Sequence, residues 1–384
     1  MRICRIARIY PRTTSPGSGL MAYKLSEYLP HPCLYVAKQL DGTPLPFPSH
    51  VRLLLIDYPE PRSSKTGRFA GLRTAVASLG RIIGNLWLAI LGLPHIWRFR
   101  PDILHVHTPL PLLLGIFAKL TLHCPLVLSF HGTDYYRFRN NRFLVRLAGW
   151  FVDHVICIAP GMKTELENLL PGAPVSYFPN GVDLDLFSPD STIQKKKQIV
   201  SVGRLFWQKG YPDLLSAIMR VFEKDPTYTM VIVGDGPLRA ELEEIVARAR
   251  LQERVEFTGV VSQAQVVRIL RESELFVMAS VSEGFPKALI EAMACGLPVV
   301  TTRVGACEDV VKEAQCGIVV QPNAPDHLAG AIYEILASPA LRQRYASQAV
   351  LASRKYAWQD QAEKVARLYK QLLSVSTPLK GKPQ

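Results

Sequence analysis

At 384 residues the chain exceeds one typical domain and predicts two, and a hydrophobic content of 48% is that of a globular protein with a sizeable core. Seven scattered cysteines, odd in number and without a Cys-x-x-Cys pair, argue against a disulfide framework or a zinc site and for reduced thiols in a cytosol. The net charge of +13 divides into +11 for residues 1–180 and +2 for residues 181–384, which points to an anionic partner for the first half: a membrane surface, a lipid phosphate or nucleic acid.

The chain opens on Met1-Arg-Ile-Cys-Arg-Ile-Ala-Arg-Ile-Tyr10, which alternates basic and apolar residues. It reads as a first strand and not as a signal peptide, which needs a continuous apolar stretch. No run reaches the ~18 apolar residues of a spanning helix. Strands are expected at Ile3–Ile9, Leu34–Ala37, Val51–Ile56, Ile103–Val106, Leu126–Phe130, Val155–Ile158 and Val175–Phe178. After a break they resume at Ile199–Val202, Thr229–Val233, Val255–Thr258, Leu275–Met278, Pro298–Thr301 and Gly317–Val320. Helical patterns between them imply α/β architecture with parallel sheets covered by helices. The break, residues 188–198, holds Pro189 and Lys195-Lys-Lys197 and reads as a linker. The predicted division is 1–187, linker 188–198, 199–355, a C-terminal helix over 356–375 and a disordered tail at 376–384. Two halves of this kind place a cleft at the carboxyl ends of both sheets.

Residues 68–93 carry a further pattern. Phe69, Leu72, Val76, Leu79, Ile83, Leu86, Ile90 and Leu93 fall on one helix face, with Lys65, Arg68, Arg73 and Arg81 nearby. Ile82, Trp87 and Leu88 widen this apolar surface, which packs on the core, touches anionic lipid with its basic flank, or does both through different faces.

Residues 279–298 hold the densest chemistry. Glu283 and Glu291 lie eight apart across a helix start, between the strands at Leu275 and Pro298. Pro286 near the first helical position and Gly296 just past the end fit the capping asymmetry. Free N–H groups and partial positive charge at such a helix start suit a phosphate. Carboxylates beside an anion make sense if they accept hydrogen bonds from sugar or ribose hydroxyls. Elsewhere, Gly17-Ser-Gly-Leu-Met-Ala22 with Asp41 matches a dinucleotide fingerprint, but Tyr10 to Pro16 separate it from the strand it should directly follow. Asp183-Leu-Asp185 looks like a metal-binding Asp-x-Asp, but no carboxylates cluster near it, so it reads as a turn and no catalytic metal is expected.

The 279–298 segment resembles the family-4 retaining glycosyltransferases of the GT-B fold, with their Glu-x7-Glu signature. Ser201-Val-Gly-Arg-Leu-Phe-Trp-Gln-Lys-Gly210, Val233-Gly-Asp-Gly-Pro237, Phe257-Thr-Gly259, Phe130-His-Gly132 and Asn180-Gly-Val-Asp183 follow that family's order and spacing over nearly the whole chain. The resemblance implies two Rossmann-like domains facing a cleft, the first on the acceptor side, and a C-terminal helix crossing back to it. It implies that Arg204 and Lys209 contact the donor diphosphate, that Glu291 binds the ribose and that Glu283 sits by the donor sugar. His131 is placed beside the transferred sugar, and Asp134 orients it or binds the acceptor. Backbone around Gly284, Phe285, Lys287, Ala288 and Leu289 would hold phosphates and sugar hydroxyls, with the Lys287 side chain on an acidic sugar or in solvent. Gly17 and Gly19 form a Gly-rich loop at the diphosphate, Gly234 lies against the nucleotide, and Val260 beside the base.

The activity so implied is transfer of a sugar from a nucleotide-diphosphate sugar to a lipid-linked or glycan acceptor, by a retaining enzyme needing no metal or other cofactor. It would serve cell-surface polysaccharide or glycolipid synthesis in the cytoplasm, at the inner face of an anionic membrane, with no nucleic-acid partner. The competing readings are a nucleotide-sugar epimerase or phosphorylase on the same fold, and a non-enzymatic lipid-binding protein.

Overall fold

The computed structural model describes residues 1–9, 19–39, 45–57, 84 and 87–376. By contacts the chain forms two compact units, Met1–Pro179 with Trp358–Gln384, and Asn180–Ala357. All thirteen expected strands are present, each within one residue at either end.

The first unit holds β1 (Ile3–Ile9), β2 (Cys33–Lys38), β3 (Val51–Ile56), β4 (Ile103–Val106), β5 (Leu126–Phe130), β6 (His154–Cys157) and β7 (Val175–Tyr177). Its helices are α1 (Leu20–Tyr28), α2 (helical residues 87–99), α3 (Leu112–Leu122), α4 (Thr133–Arg139), α5 (Arg142–Phe151) and α6 (Pro160–Leu169). The sheet is parallel in the order β3-β2-β1-β4-β5-β6-β7. Leu, Ile and Val from its strands join α2 and α3 side chains in one core. Each fully buried aliphatic chain contributes on the order of 1.5–3 kcal/mol.

The second unit holds β8 (Gln198–Val202), β9 (Thr229–Val233), β10 (Val255–Gly259), β11 (Leu275–Met278), β12 (Val299–Thr302) and β13 (Gly317–Val320). Its helices are α7 (Tyr211–Lys224), α8 (Arg239–Arg248), α9 (Gln263–Glu272), α10 (Lys287–Ala294), α11 (Cys307–Ala314), α12 (Pro325–Ala337) and α13 (Pro339–Ser353). The order is β10-β9-β8-β11-β12-β13, again parallel.

The last helix, α14 (Trp358–Ser376), belongs to the first unit and packs on α1. Trp358, Ala362, Val365 and Tyr369 recur every three or four residues and are buried. The alternation at the N-terminus does not leave its arginines in water. β1 is covered on both faces, and Arg5 is buried. Its guanidinium donates to the Tyr369 hydroxyl of α14 at 2.9 Å and to the Leu25 carbonyl of α1 at 3.3 Å.

Two expectations change. Residues 188–198 are no free linker, because they are fastened to the second unit. Arg271 bonds the Ser188 carbonyl at 2.7 Å, and Lys195 Nζ bonds the Ser273 carbonyl at 2.7 Å. Of the helix expected over 68–93, residues 87–93 are described apart from their neighbours at 85–86, and they are helical. There Leu88, one of the residues expected to widen the apolar face, is buried with Ala89, Gly92 and Ile96, while Trp87 and Ile90 are exposed, so the buried stripe lies to one side of the expected face. The earlier part of that helix, Asp41, Gly17 and the tail beyond residue 376 lie outside the described residues. No helix among the described residues is long and apolar enough to cross a membrane.

Candidate active site

In the second sheet β8 lies between β9 and β11. The chain leaves β8 toward one side and enters β11 on the other. This is the switch point at which open α/β sheets leave a crevice beyond their carboxyl ends. The loops following β8 and β11 carry Arg204, Lys209 and Glu283, and α10, which follows the second loop, carries Glu291.

The two loops are zipped together. Val281 and Ser282 both donate their N–H to the Gln208 carbonyl, at 2.8 and 3.3 Å. Gly210 makes the approach possible. Its φ is +62°, and a Cβ there would sit 2.0 Å from the Ala279 carbonyl oxygen. Lys209, at the end of the short 3-10 turn Trp207–Lys209, donates from Nζ to Glu283 Oε1. The same oxygen accepts the Ser280 hydroxyl at 2.8 Å. Glu283 Oε2 has no partner among the described residues. Arg204 is exposed and unpaired with any described carboxylate; its guanidinium lies 4.9 Å from the Phe206 ring centroid. One cation is therefore held by a carboxylate, and a second is available.

α10 begins after Pro286 and ends in a Schellman closure. Leu297 N–H reaches the Ala292 carbonyl, and Gly296 N–H reaches that of Met293. Its first turn uses two amides internally: Lys287 N–H on the Phe285 carbonyl and Leu289 N–H on that of Pro286, at 3.0 and 3.1 Å. The amides of Gly284, Phe285 and Ala288 have no acceptor among the described residues. The expected cradle of amides thus narrows to these three. Phe285 is buried and tilts against Tyr356 at 5.8 Å. Glu291 is buried, and Lys287 Nζ donates to its Oε1. Lys287 is partly exposed, and one helical turn brings its ammonium onto the carboxylate. Glu291 Oε2 is unpaired among the described residues.

Gly234 follows β9, and its N–H bonds the Gly259 carbonyl at 3.0 Å. The close approach it permits is within the protein. At φ +136° a Cβ would lie 2.0 Å from the Gly203 carbonyl, in the loop leading to Arg204. Gly234→Ala should destabilise the second unit by about 2–4 kcal/mol, read as a lowered thermal midpoint; an unchanged midpoint would show that the Gly203 loop yields freely. Val260, just beyond β10, is 73% exposed. Asp183 accepts the Leu186 N–H at 3.3 Å and closes a turn.

Residues 185–351 match the family described as glycosyl transferases group 1, and residues 50–186 match glycosyltransferase family 4. An uncharacterized glycosyltransferase of Methanocaldococcus jannaschii is 30% identical over 276 residues, 71% of this chain and 76% of that protein. The chain belongs to the group 1, family 4 type of glycosyltransferases. A glycogen synthase of Mycobacterium tuberculosis is 26% identical over 393 residues, 96% of this glycosyltransferase and 94% of the relative. The phosphatidylinositol N-acetylglucosaminyltransferase gpi3 subunit of Schizosaccharomyces pombe is 30% identical over 229 residues, 58% of this chain and 50% of that one, so this chain spans about half its length. Among solved structures, sucrose-phosphate synthase of Thermosynechococcus elongatus superposes with a TM-score of 0.78 at 20% identity, covering 98% of this chain and 100% of that one. Anabaena HepE, solved with UDP, gives 0.76 at 19%, covering 97% and 100%. Both share the GT-B fold.

In the first unit of the glycosyltransferase, Gly19 stands before α1 with φ +91°. His131 leaves β5. Asp134 does not orient its imidazole; the carboxylate accepts the His131 backbone N–H, at 3.0 and 3.1 Å, and so shapes the turn into α4. Burial lowers the His131 pKa from its ordinary value, against the pull of Asp134. The imidazole is neutral at pH 7.

Sequence reasoning missed Ser280, which is fully buried and orients Glu283. Its only signal is a hydroxyl three residues before that glutamate. It also missed Gly210, whose role depends on the neighbouring loop.

Proposed function

We propose that this glycosyltransferase is a retaining, metal-independent enzyme that moves a sugar from a nucleoside-diphosphate sugar to a glycan or lipid-linked acceptor. The observation that carries the reading is the switch point of the second sheet. There Arg204, Lys209 and three unused amides lie beside the partly buried Glu283 and the buried Glu291, on one loop pair and the helix that follows it.

The residues suit the chemistry as follows. Arg204, Lys209 and the amides of Gly284, Phe285 and Ala288 meet the negative charge that grows on the leaving diphosphate, and preorganised donors of this kind usually supply the largest catalytic term. On donor binding Lys209 passes from Glu283 to the phosphate. Glu283 then faces the sugar, whose ring becomes positive as the bond to the phosphate breaks. Glu291 Oε2 accepts from the ribose hydroxyls, and Val260 borders the base. The acceptor hydroxyl attacks on the face the phosphate leaves, and the phosphate takes its proton, so the anomeric configuration is kept. HepE, solved with UDP and with UDP-glucose, supports a donor of this class.

A panel of nucleotide sugars, read by thermal shift and then by product NMR, tests the reading. One donor should stabilise the protein, turn over in the presence of EDTA and give a product of unchanged anomeric configuration. An inverted product removes the retaining mechanism. Turnover that needs no acceptor and returns a different nucleotide sugar makes the protein an epimerase.

The acceptor is proposed to lie at an anionic membrane, given the +11 charge of residues 1–180. The full chain should co-sediment with phosphatidylglycerol vesicles at low salt and release as ionic strength passes about 0.3 M. Failure to bind at any salt removes the membrane from the proposal.

A further inference from the structure

Eight of the fourteen exposed large apolar side chains among the described residues lie on only three helices, α2, α3 and α5. These helices cover one face of the first sheet. Side chains alternate along β1. Cys4 and Ile6 share a core with Leu88 and Ile96 of α2, Leu114 of α3 and Ala148 of α5, whereas Arg5 points to α1 and α14 on the other face. A helix that buries one stripe in this way normally turns a polar one outward. Here the outward stripes carry Ile90 and Trp97 on α2, Phe117 and Leu120 on α3, and Phe143 and Trp150 on α5, all 43–65% exposed. The stripes adjoin. Trp97 Nε1 donates to Thr121 Oγ1 at 2.7 Å and ties α2 to α3. Lys119 Nζ donates to the Phe151 carbonyl at 2.8 Å and ties α3 to α5. Exposed apolar residues scattered singly need no explanation, but a contiguous set across three helices marks an interaction surface.

We propose that the outer face of α2, α3 and α5 is where the protein docks on an anionic lipid bilayer, with its aromatic side chains seated at the headgroup boundary. This rests on the membrane location proposed above and names the face and the mode, which total charge does not. The charge pattern selects the occupant. The three helices hold Arg98, Lys119, Arg142 and Arg146 and neither Asp nor Glu. Lys119 is held by Asp153 at 2.6 Å, but the three arginines are exposed and have no carboxylate partner among the described residues. The Arg146 guanidinium lies 4.6 Å from the Trp150 ring centroid, so a cation and an aromatic ring reach the surface together. Anionic headgroups attract such cations, and Trp and Phe beside them settle between headgroup and acyl chain. A second copy pairing through the same face would set these arginines against one another with no carboxylate between them. A bilayer of anionic lipid answers the apolar and the cationic groups at once.

The seven native cysteines are all buried, so a single thiol introduced on the surface can be labelled selectively. The full chain is labelled with the polarity-sensitive dye NBD at Phe143→Cys, at Leu120→Cys or, as a control on α13 of the second unit, at Gln348→Cys, and mixed with phosphatidylglycerol vesicles at low salt. Emission should move to the blue at the first two positions and stay unchanged at the third. Phe143→Ser combined with Trp150→Ser should weaken partition onto these vesicles about tenfold or more. Arg142→Gln combined with Arg146→Gln should weaken it by a similar factor and lower the salt at which the protein releases. Both double variants should keep the wild-type thermal midpoint and the wild-type turnover of nucleotide sugar in solution, because all four side chains are exposed. If the chain binds the vesicles and neither dye responds, another surface docks; the inference is overturned while the membrane location stands. If the dyes respond to protein concentration without vesicles, and the serine variant abolishes that response, the face joins two copies and the inference is again overturned. A chain that binds no vesicle at any salt removes the membrane location, and this docking face with it.

Discussion

Lys209→Met should lower kcat for nucleotide-sugar turnover by about 10²–10³-fold, the loss typical of one preorganised group facing transition-state charge. Lys209 and Glu283 share a hydrogen bond in the ligand-free protein, and the lysine is 26% exposed. It is therefore held by a carboxylate and still reachable by a ligand, as the proposed phosphate role requires. Lys209→Arg keeps the charge and should recover part of the rate, whereas a packing role would not discriminate between a guanidinium and a thioether in this way. The methionine variant also leaves Glu283, 10% exposed, with only Ser280 as a hydrogen-bond partner among the described residues. A modest fall in thermal midpoint is expected beside the kinetic loss. Steady-state kinetics and a melting curve on the same preparation check both. A kcat within threefold of wild type would remove Lys209 from the diphosphate.

Glu291→Gln should weaken UDP or GDP binding by about tenfold to a hundredfold, the value of hydrogen bonds to a charged acceptor. The substitution preserves volume inside α10, where the side chain is 9% exposed, and removes the charge that holds Lys287. Calorimetry with the nucleotide and with its 2′,3′-dideoxy analogue isolates the ribose contact. Wild type should lose affinity for the analogue, and the variant should bind both nucleotides alike. If the variant loses equal affinity for both, the glutamate acts through the helix and not on the ribose.

How far residues alone led differs between parts of the molecule. The strands were readable because β-branched runs bounded by polar turns repeat in a parallel sheet buried on both faces, and each run lies within one residue of its strand. The end of α10 was readable because Gly296 and the preceding residues make local hydrogen bonds. The face of α2 was not. Which side of a helix is buried depends on what it meets, and Leu88, Gly92 and Ile96 face the core in place of Ile90. Arg5 shows the same limit. In sequence it is one more basic residue of the N-terminal stretch, and its burial depends on a helix more than 350 residues away.

The candidate site divides along the same line. Glu283, Glu291, Arg204 and Lys209 were identifiable from spacing and resemblance. The amides were not: Lys287 and Leu289 use theirs within the first turn, while those of Gly284, Phe285 and Ala288 stay unmatched. The i,i+4 spacing already put Lys287 within reach of Glu291, and the structure shows the pair formed. Asp134 was expected on the imidazole of His131 and is on its backbone.

What the sequence determined by itself was the succession of strands, the two-domain α/β class and the residue types able to meet a diphosphate and hydroxyls, since these depend on periodicity and on side-chain chemistry along the chain. What only the tertiary structure decided was partnership: which carboxylate holds which cation, which amides remain unmatched, and that α2, α3 and α5 bring their outward apolar stripes side by side. Those depend on distances between residues far apart in the chain, which folding sets and spacing in the sequence does not encode.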